Sequence, residues 1–231
     1  MSVPEAMQNR VLKRFPLRRR KIPVAGGAID LVTPVSMDCL LEGEWLHHYD
    51  RAGYLPYWAD VWPASVGVAR WLMRGPALAG RRVLDLGCGV GLAGVAAARR
   101  GARVTFADVD PHALEFARFN AEHNGADQPE ILRLDWFTQT APPGFDLVLL
   151  ADVAYEKMHY EPLLRHIERC VAPGGRALLG DPFREAASGF LGQVKRRFAT
   201  EEVATDAWYD ERRIQMRLCW IWPADAQGQA P

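Results

Sequence analysis

The chain lacks the marks of several protein classes. No apolar run approaches the roughly 18 residues that a membrane-spanning helix needs. The N-terminus has no apolar core of the secretory kind. Lysine plus arginine and aspartate plus glutamate both number 28, so no net field argues for nucleic acid as a partner. Cysteines are few and scattered: Cys39, Cys88, Cys170 and Cys219 form no C-x-x-C pair. That spacing speaks against a zinc site or a disulfide framework and suits reduced thiols. No internal repeat is present. These absences predict a cytoplasmic protein with no membrane partner and no metal.

What remains is ordinary globular composition, 49% hydrophobic and 24% charged over 231 residues. This is enough for one large α/β domain with an N-terminal extension. The most informative stretch is Val83-Leu84-Asp85-Leu86-Gly87-Cys88-Gly89-Val90-Gly91. A short apolar strand runs into an acid, then into glycines at every second position, then into an alanine-rich helix. The glycines let the backbone turn sharply and approach a ligand closely. The helix from Leu92 aims unpaired N–H groups at that turn. Asp85 is the discriminating residue, because a carboxylate repels a pyrophosphate but suits a ligand with an ammonium group and hydroxyls. Gly89-x-Gly91-x-x-Gly94 also satisfies the dinucleotide fingerprint, so a nicotinamide-dependent oxidoreductase stays open on that motif alone.

The rest of the chain is read in order. Arg10, Lys13, Arg14, Arg18, Arg19, Arg20 and Lys21 form a basic run without an acid, read as a solvated arm or the polar face of an edge strand. Residues 17–24 and 28–35 around Gly26-Gly27 predict a β-hairpin. Ser36 caps a short helix ending near Gly43. An aromatic cluster of Tyr54, Tyr57, Trp58 and Trp62 precedes a helix over 65–74. Strands are expected at 83–85, 103–107, 130–134, 145–150 and 176–179, with helices at 92–100, 111–124, 159–171 and 185–198. This alternation predicts a doubly wound parallel sheet covered on both faces. A last hairpin, 201–207 and 212–221, turns around Tyr209-Asp210. The tail from Pro223 is expected to be disordered.

Ligands of such sheets lie beyond the carboxyl ends of the strands. Strand two delivers Asp108, placed to bind ribose hydroxyls, while Asp110 caps the helix opened by Pro111. Strand three ends in Leu134-Asp135-Trp136, and an acid there can accept from an adenine amino group. Whether Trp136 covers the base or packs in the core stays open. Strand four ends in Asp152-Val153-Ala154-Tyr155. An unpaired carboxylate is seldom buried, so Asp152 is expected to face solvent or substrate. The pair His47-His48 beside Glu44 and Asp50 lacks a second ligand cluster and reads as surface.

The Asp85-x-Gly87-x-Gly89-x-Gly91 string resembles the first motif of class I S-adenosylmethionine-dependent methyltransferases. Five strands followed by a terminal hairpin match that class too. The resemblance implies a Rossmann-like, mostly parallel seven-stranded sheet with an antiparallel C-terminal hairpin strand. More narrowly, Tyr57-Trp58-Ala59-Asp60-Val61-Trp62-Pro63, Leu134-Asp135-Trp136 and Asp152-Val153-Ala154-Tyr155 resemble the Asp-x-x-Tyr protein-lysine methyltransferases. Among these, bacterial relatives of the electron-transfer-flavoprotein β-subunit lysine methyltransferase are similar. Gly180-Asp181-Pro182 with Arg184 resembles that group as well, which usually has glycine where Phe183 stands. The resemblance covers about residues 54 to 222, leaving 1–53 as an extension and 223–231 as a tail.

It implies S-adenosyl-L-methionine as cofactor and lysine side chains of a protein partner as acceptor. Asp85, Gly87, Gly89 and Gly91 would hold the methionine part, Asp108 the ribose, and Asp135 with Trp136 the adenine. Trp62 would lie against the cofactor. Asp152 and Tyr155 would line the acceptor channel as the catalytic pair. A small-molecule N- or O-methyltransferase with the same cleft is the alternative, and a non-catalytic binding module with this fold is a third class.

Overall fold

The computed structural model describes residues 12–209 and 211–223. Arg10, Asp210 and the tail from 224 lie outside the described residues. A seven-stranded sheet carries the fold. Its strands are β3 (Arg82–Leu86), β4 (Arg103–Asp108), β5 (Glu130–Arg133), β6 (Phe145–Ala151), β7 (Val171–Asp181), β8 (Phe198–Tyr209) and β9 (Arg212–Pro223). They lie in the order β5-β4-β3-β6-β7-β9-β8. The first five are parallel, and β9 inserts antiparallel between β7 and β8. The order reverses between β3 and β6, which is where α/β sheets open a ligand crevice. β3 is buried after its first residue, as a strand covered on both faces must be.

Two apolar clusters fill the two faces. One joins β3 and β4 to α2 (Pro63–Arg74), α3 (Leu92–Arg99) and α4 (Pro111–His123), with Phe106 and Phe116 at its centre. The other packs α5 (Tyr160–Cys170) and α6 (Glu185–Arg197) through Leu163, Ile167 and Phe190. The N-terminal hairpin forms as expected, with β1 (Leu17–Val24) paired to β2 (Gly27–Pro34). Its three arginines are engaged within the fold: Arg19 pairs with Asp30, and Arg18 and Arg20 reach Asp60 at 3.9 and 3.5 Å.

One element departs from the sequence reading. The short helix expected before Gly43 is a single 3-10 turn, Asp38–Leu40, and a ten-residue helix, α1 (Gly43–Ala52), begins where that helix was to end. The reason is tertiary. Trp45 and Tyr49, one turn apart, both point inward. Trp45 stacks on Phe15 at 4.5 Å, and the Tyr49 hydroxyl accepts from Trp58 Nε1 at 3.0 Å. Gly53, left-handed at φ 73°, then stops the helix.

Candidate active site

The site is built where β3 runs into α3. Gly87 and Gly89 have φ of 68° and 52°, and Gly91, at 89°, is the N-cap of α3. The turn is closely covered. A Cβ at Gly87 would sit 2.8 Å from Val153 and 2.9 Å from Trp136; one at Gly89 would sit 3.3 Å from the Trp58 carbonyl. Gly91 instead backs onto Ala117 of α4 at 3.0 Å, so it serves helix packing and does not line the cavity. Gly94 packs on Phe106, where a Cβ would be only 2.3 Å from the ring.

Asp85 is buried, and its carboxylate accepts the Gly94 N–H at 2.8 Å. A protein carboxylate therefore takes the N–H of the first helical turn that would greet a phosphate in a dinucleotide fold. Asp108, at the end of β4, accepts from Gly89 N and Asp110 N, both at 3.0 Å. Asp110 caps α4 through His112 N at 2.7 Å, as expected. Burial pushes Asp85 up to about 7 and Asp108 up to about 6, against the N–H bonds each accepts. Neither carboxylate has an ion-pair partner among the described residues, and the negative charge of Asp108 raises Asp85 further. A cationic or hydroxyl-bearing ligand would relieve both.

The cavity beyond these strand ends measures about 570 Å³. Of the expected site residues, Trp62, Asp85, Gly87, Gly89, Asp108, Asp135, Trp136, Asp152 and Tyr155 all line it. Asp60, Asp110 and Glu156 add further carboxylates, and no lysine or arginine is among the lining residues. The charge of this lining disfavours a diphosphate. These residues fit an uncharged nucleoside joined to a cationic group.

Two of the expected site carboxylates already have partners in the structure. Asp135 accepts from Phe137 N at 2.9 Å and Thr138 Oγ1 at 3.0 Å, so part of its capacity holds its own turn. Asp152 is not an unpaired carboxylate facing solvent. Its side chain is 4% exposed, with one oxygen accepting from Ala64 N at 2.8 Å and the other from Arg184 Nε at 3.0 Å. The sequence offered no sign of this, since the partners lie 88 and 32 residues away. Asp152 also holds φ 58°, a strained conformation for a residue other than glycine. Phe183, at φ 59°, sits in the region where glycine is at ease.

An aromatic mouth surrounds Tyr155. Its ring meets His159 edge-on at 4.4 Å and Tyr57 at 5.4 Å, and Tyr57 meets Trp62 at 5.9 Å. Arg184 lies over Trp62 at 5.5 Å. Burial and the nearby Glu156 raise Tyr155 to about 12, so it remains a phenol at neutral pH. His159, which reads from sequence as a packing or surface histidine, is buried with Nδ1 3.2 Å from the Val153 carbonyl. Only its place just after the Asp-x-x-Tyr segment could have pointed to it.

Solved structures share this architecture. The N-methyltransferase NodS from Bradyrhizobium japonicum, in complex with S-adenosyl-L-homocysteine, aligns with a TM-score of 0.55 at 20% identity, over 68% of this chain and 85% of that one. Sequence relatives are nearer. The electron transfer flavoprotein beta subunit lysine methyltransferase of Danio rerio is 38% identical over 132 residues, which is 56% of this chain and 51% of the relative. The chain thus spans about half the length of that relative. Protein N-lysine methyltransferase METTL21A of Danio rerio is 35% identical over 161 residues, covering 66% of this chain and 73% of the relative. A family model described as lysine methyltransferase matches residues 57–197, from the aromatic segment through α6. With its acid-lined cleft at the sheet's switch point, the chain belongs to the lysine methyltransferase family.

Proposed function

We propose that this protein transfers a methyl group from S-adenosyl-L-methionine to lysine side chains of a protein substrate. The observation that carries the reading is the cavity of about 570 Å³ lined by carboxylates, glycines and aromatic rings, with no lysine or arginine among its described lining residues. The cofactor, when bound, supplies an electrophilic methyl group on a sulfonium. Asp85 and the loop at Gly87 and Gly89 hold its methionine end, Asp108 the ribose hydroxyls, and Asp135 with Trp136 the adenine. Trp62 walls the cofactor side. Residues 54–222 form the methyltransferase domain, 1–53 an extension, and the reaction takes place in the cytoplasm.

The chain's own task is placement. Ordering two reactants in line is worth on the order of 7–11 kcal/mol at its upper limit. The acceptor amine, with an ordinary pKa of about 10.4, must arrive neutral, and a dry aromatic mouth lowers it. Tyr155, Tyr57 and Trp62 pack along the lysine stem and favour developing positive charge by cation–π contact. Asp152 fixes the mouth: it ties the start of α2, just after Trp62, to Arg184. Each of its oxygens keeps a second lone pair for the amine. Its twofold pairing supports orientation over proton abstraction.

The test incubates the full chain with deuterated S-adenosylmethionine and a bacterial lysate, and reads labelled lysines by mass spectrometry. Asp152→Asn and Tyr155→Phe are run beside it. Labelled lysine is expected with the native protein, with turnover down at least tenfold in Asp152→Asn and S-adenosylhomocysteine affinity within threefold of native. Label found only on small molecules would move the acceptor class to the aromatic mouth's other possible guests, heterocyclic amines or phenols. Unchanged turnover in Asp152→Asn would remove the role given to that residue.

A further inference from the structure

A second cavity, about 270 Å³, opens between α1 and the start of α4. Its lining is Arg14, Trp45, His48, Arg51 and His112, with no carboxylate among them. Neither Arg14 nor Arg51 makes an ion pair among the described residues. The nearest buried acid, Asp110, is already engaged: it accepts from His112 N at 2.7 Å and from the Tyr54 hydroxyl at 3.3 Å. Four basic side chains therefore converge on a space with no carboxylate among its described lining residues, and the charges of Asp110 and Glu115 reach His112 from outside that lining. Two of the four are permanently charged.

The aromatic floor narrows the ligand class. Trp45 is stacked on Phe15 at 4.5 Å, and the Arg14 guanidinium lies over the indole at 5.0 Å. His48 and His112 meet the same ring edge-on at 6.0 and 5.3 Å. The indole is thus occupied by the protein and is not a platform for a base. It holds the guanidinium in place, which reduces the side-chain entropy that a charge-assisted bond must overcome. Such a site recognises a compact polyvalent oxyanion.

We propose that the cleft between α1 and α4 binds a phosphate group, gripped by Arg14 and Arg51 with His48 and His112 donating from the walls. The site is separate from the methyl-transfer cavity, which lies on the other side of Asp110. The phosphate could belong to a free metabolite or to a phosphorylated side chain of a protein. Both present the same dianion.

Histidine Cε1–H resonances of the full chain test this directly, assigned with His48→Gln and His112→Gln. Inorganic phosphate is titrated at constant ionic strength with chloride as compensating ion. The His48 and His112 signals are expected to shift saturably in the millimolar range while those of the remaining histidines stay still. Arg14→Gln/Arg51→Gln should raise the half-saturation concentration at least tenfold and leave S-adenosylhomocysteine affinity unchanged. Should the Arg14 change loosen Trp45, Arg51→Gln alone carries the test with an expected rise of at least threefold. Linear, unsaturable shifts, or equal shifts in native and variant, would overturn the site, because non-specific salt effects act on both alike. Glycerol 2-phosphate and N-acetylphosphoserine amide form the second arm, and the tighter binder of the two identifies the source.

Discussion

At the residue scale, the proposed cofactor cleft holds two buried acids. Asp85 and Asp108 sit at about 7 and about 6 because burial disfavours their charged forms. A raised acid binds its proton in the native state over a window where the unfolded chain has released it. Stability of the free protein therefore falls as pH rises from about 4 to about 7. Ligand affinity runs the other way, since an ammonium group and ribose hydroxyls prefer ionised carboxylates. Calorimetry with S-adenosylhomocysteine should show affinity climbing between pH 5 and pH 8. In Asp108→Asn the lower part of that rise should flatten. The same change should cost about 1.5–3 kcal/mol of binding at pH 8, the range for a hydrogen bond to a charged group. An affinity flat in pH in the native protein would contradict the reading of both residues.

At the scale of elements, the N-terminal hairpin is fastened to the cofactor loop by one side chain. Asn120, fully buried on α4, accepts from Val32 N at 2.8 Å and donates to Val32 O at 3.0 Å. It also donates to the carbonyl of Val90, inside the glycine turn, at 2.8 Å. One helical turn later, Asn124 repeats the strand-like exchange with the backbone of Asp30, at 3.1 and 2.8 Å. The edge of β2 is thereby satisfied without another strand. Asn120→Ala leaves three buried backbone groups without their partner, at about 1–3 kcal/mol each where water cannot replace it. A destabilisation of about 2–4 kcal/mol is expected from urea unfolding, together with weaker S-adenosylhomocysteine binding through the freed Val90. Loss of stability with untouched affinity would separate the hairpin from the loop.

At the scale of the whole molecule, a chain without net charge concentrates carboxylates in one cavity and basic groups in another. Ligand choice follows from that sorting. S-adenosylhomocysteine at one hundred times its dissociation constant should stabilise the native state by about 2.7 kcal/mol. That raises the melting temperature by roughly 5–11 °C for a domain of this size. NAD at the same concentration should leave it unchanged, because its diphosphate meets Asp85 where a phosphate would need the helix's free N–H groups. A shift with NAD alone would reverse the assignment of the cleft.

Local sequence determined the sheet and the glycine turn. Alternating apolar strands and capped helices are short-range signals, and β3 to β7, α3 to α6 and the closing hairpin lie within a few residues of their expected bounds. The cleft at Asp85 follows from the same local rules, as does the cap at Asp110, whereas the order of the strands was settled by packing. Helix α1 was hidden because its existence depends on Trp45 and Tyr49 meeting Phe15 and Trp58, contacts that no local pattern encodes. The true setting of Asp152 was hidden for the same reason: its donors, Ala64 and Arg184, come from the starts of two other helices. Composition showed balanced charge, but only folding decided that seven acids would share one cavity and that Arg14, His48, Arg51 and His112 would share another. Pairing between distant residues is fixed by packing, and packing is settled when the sheet closes its two faces.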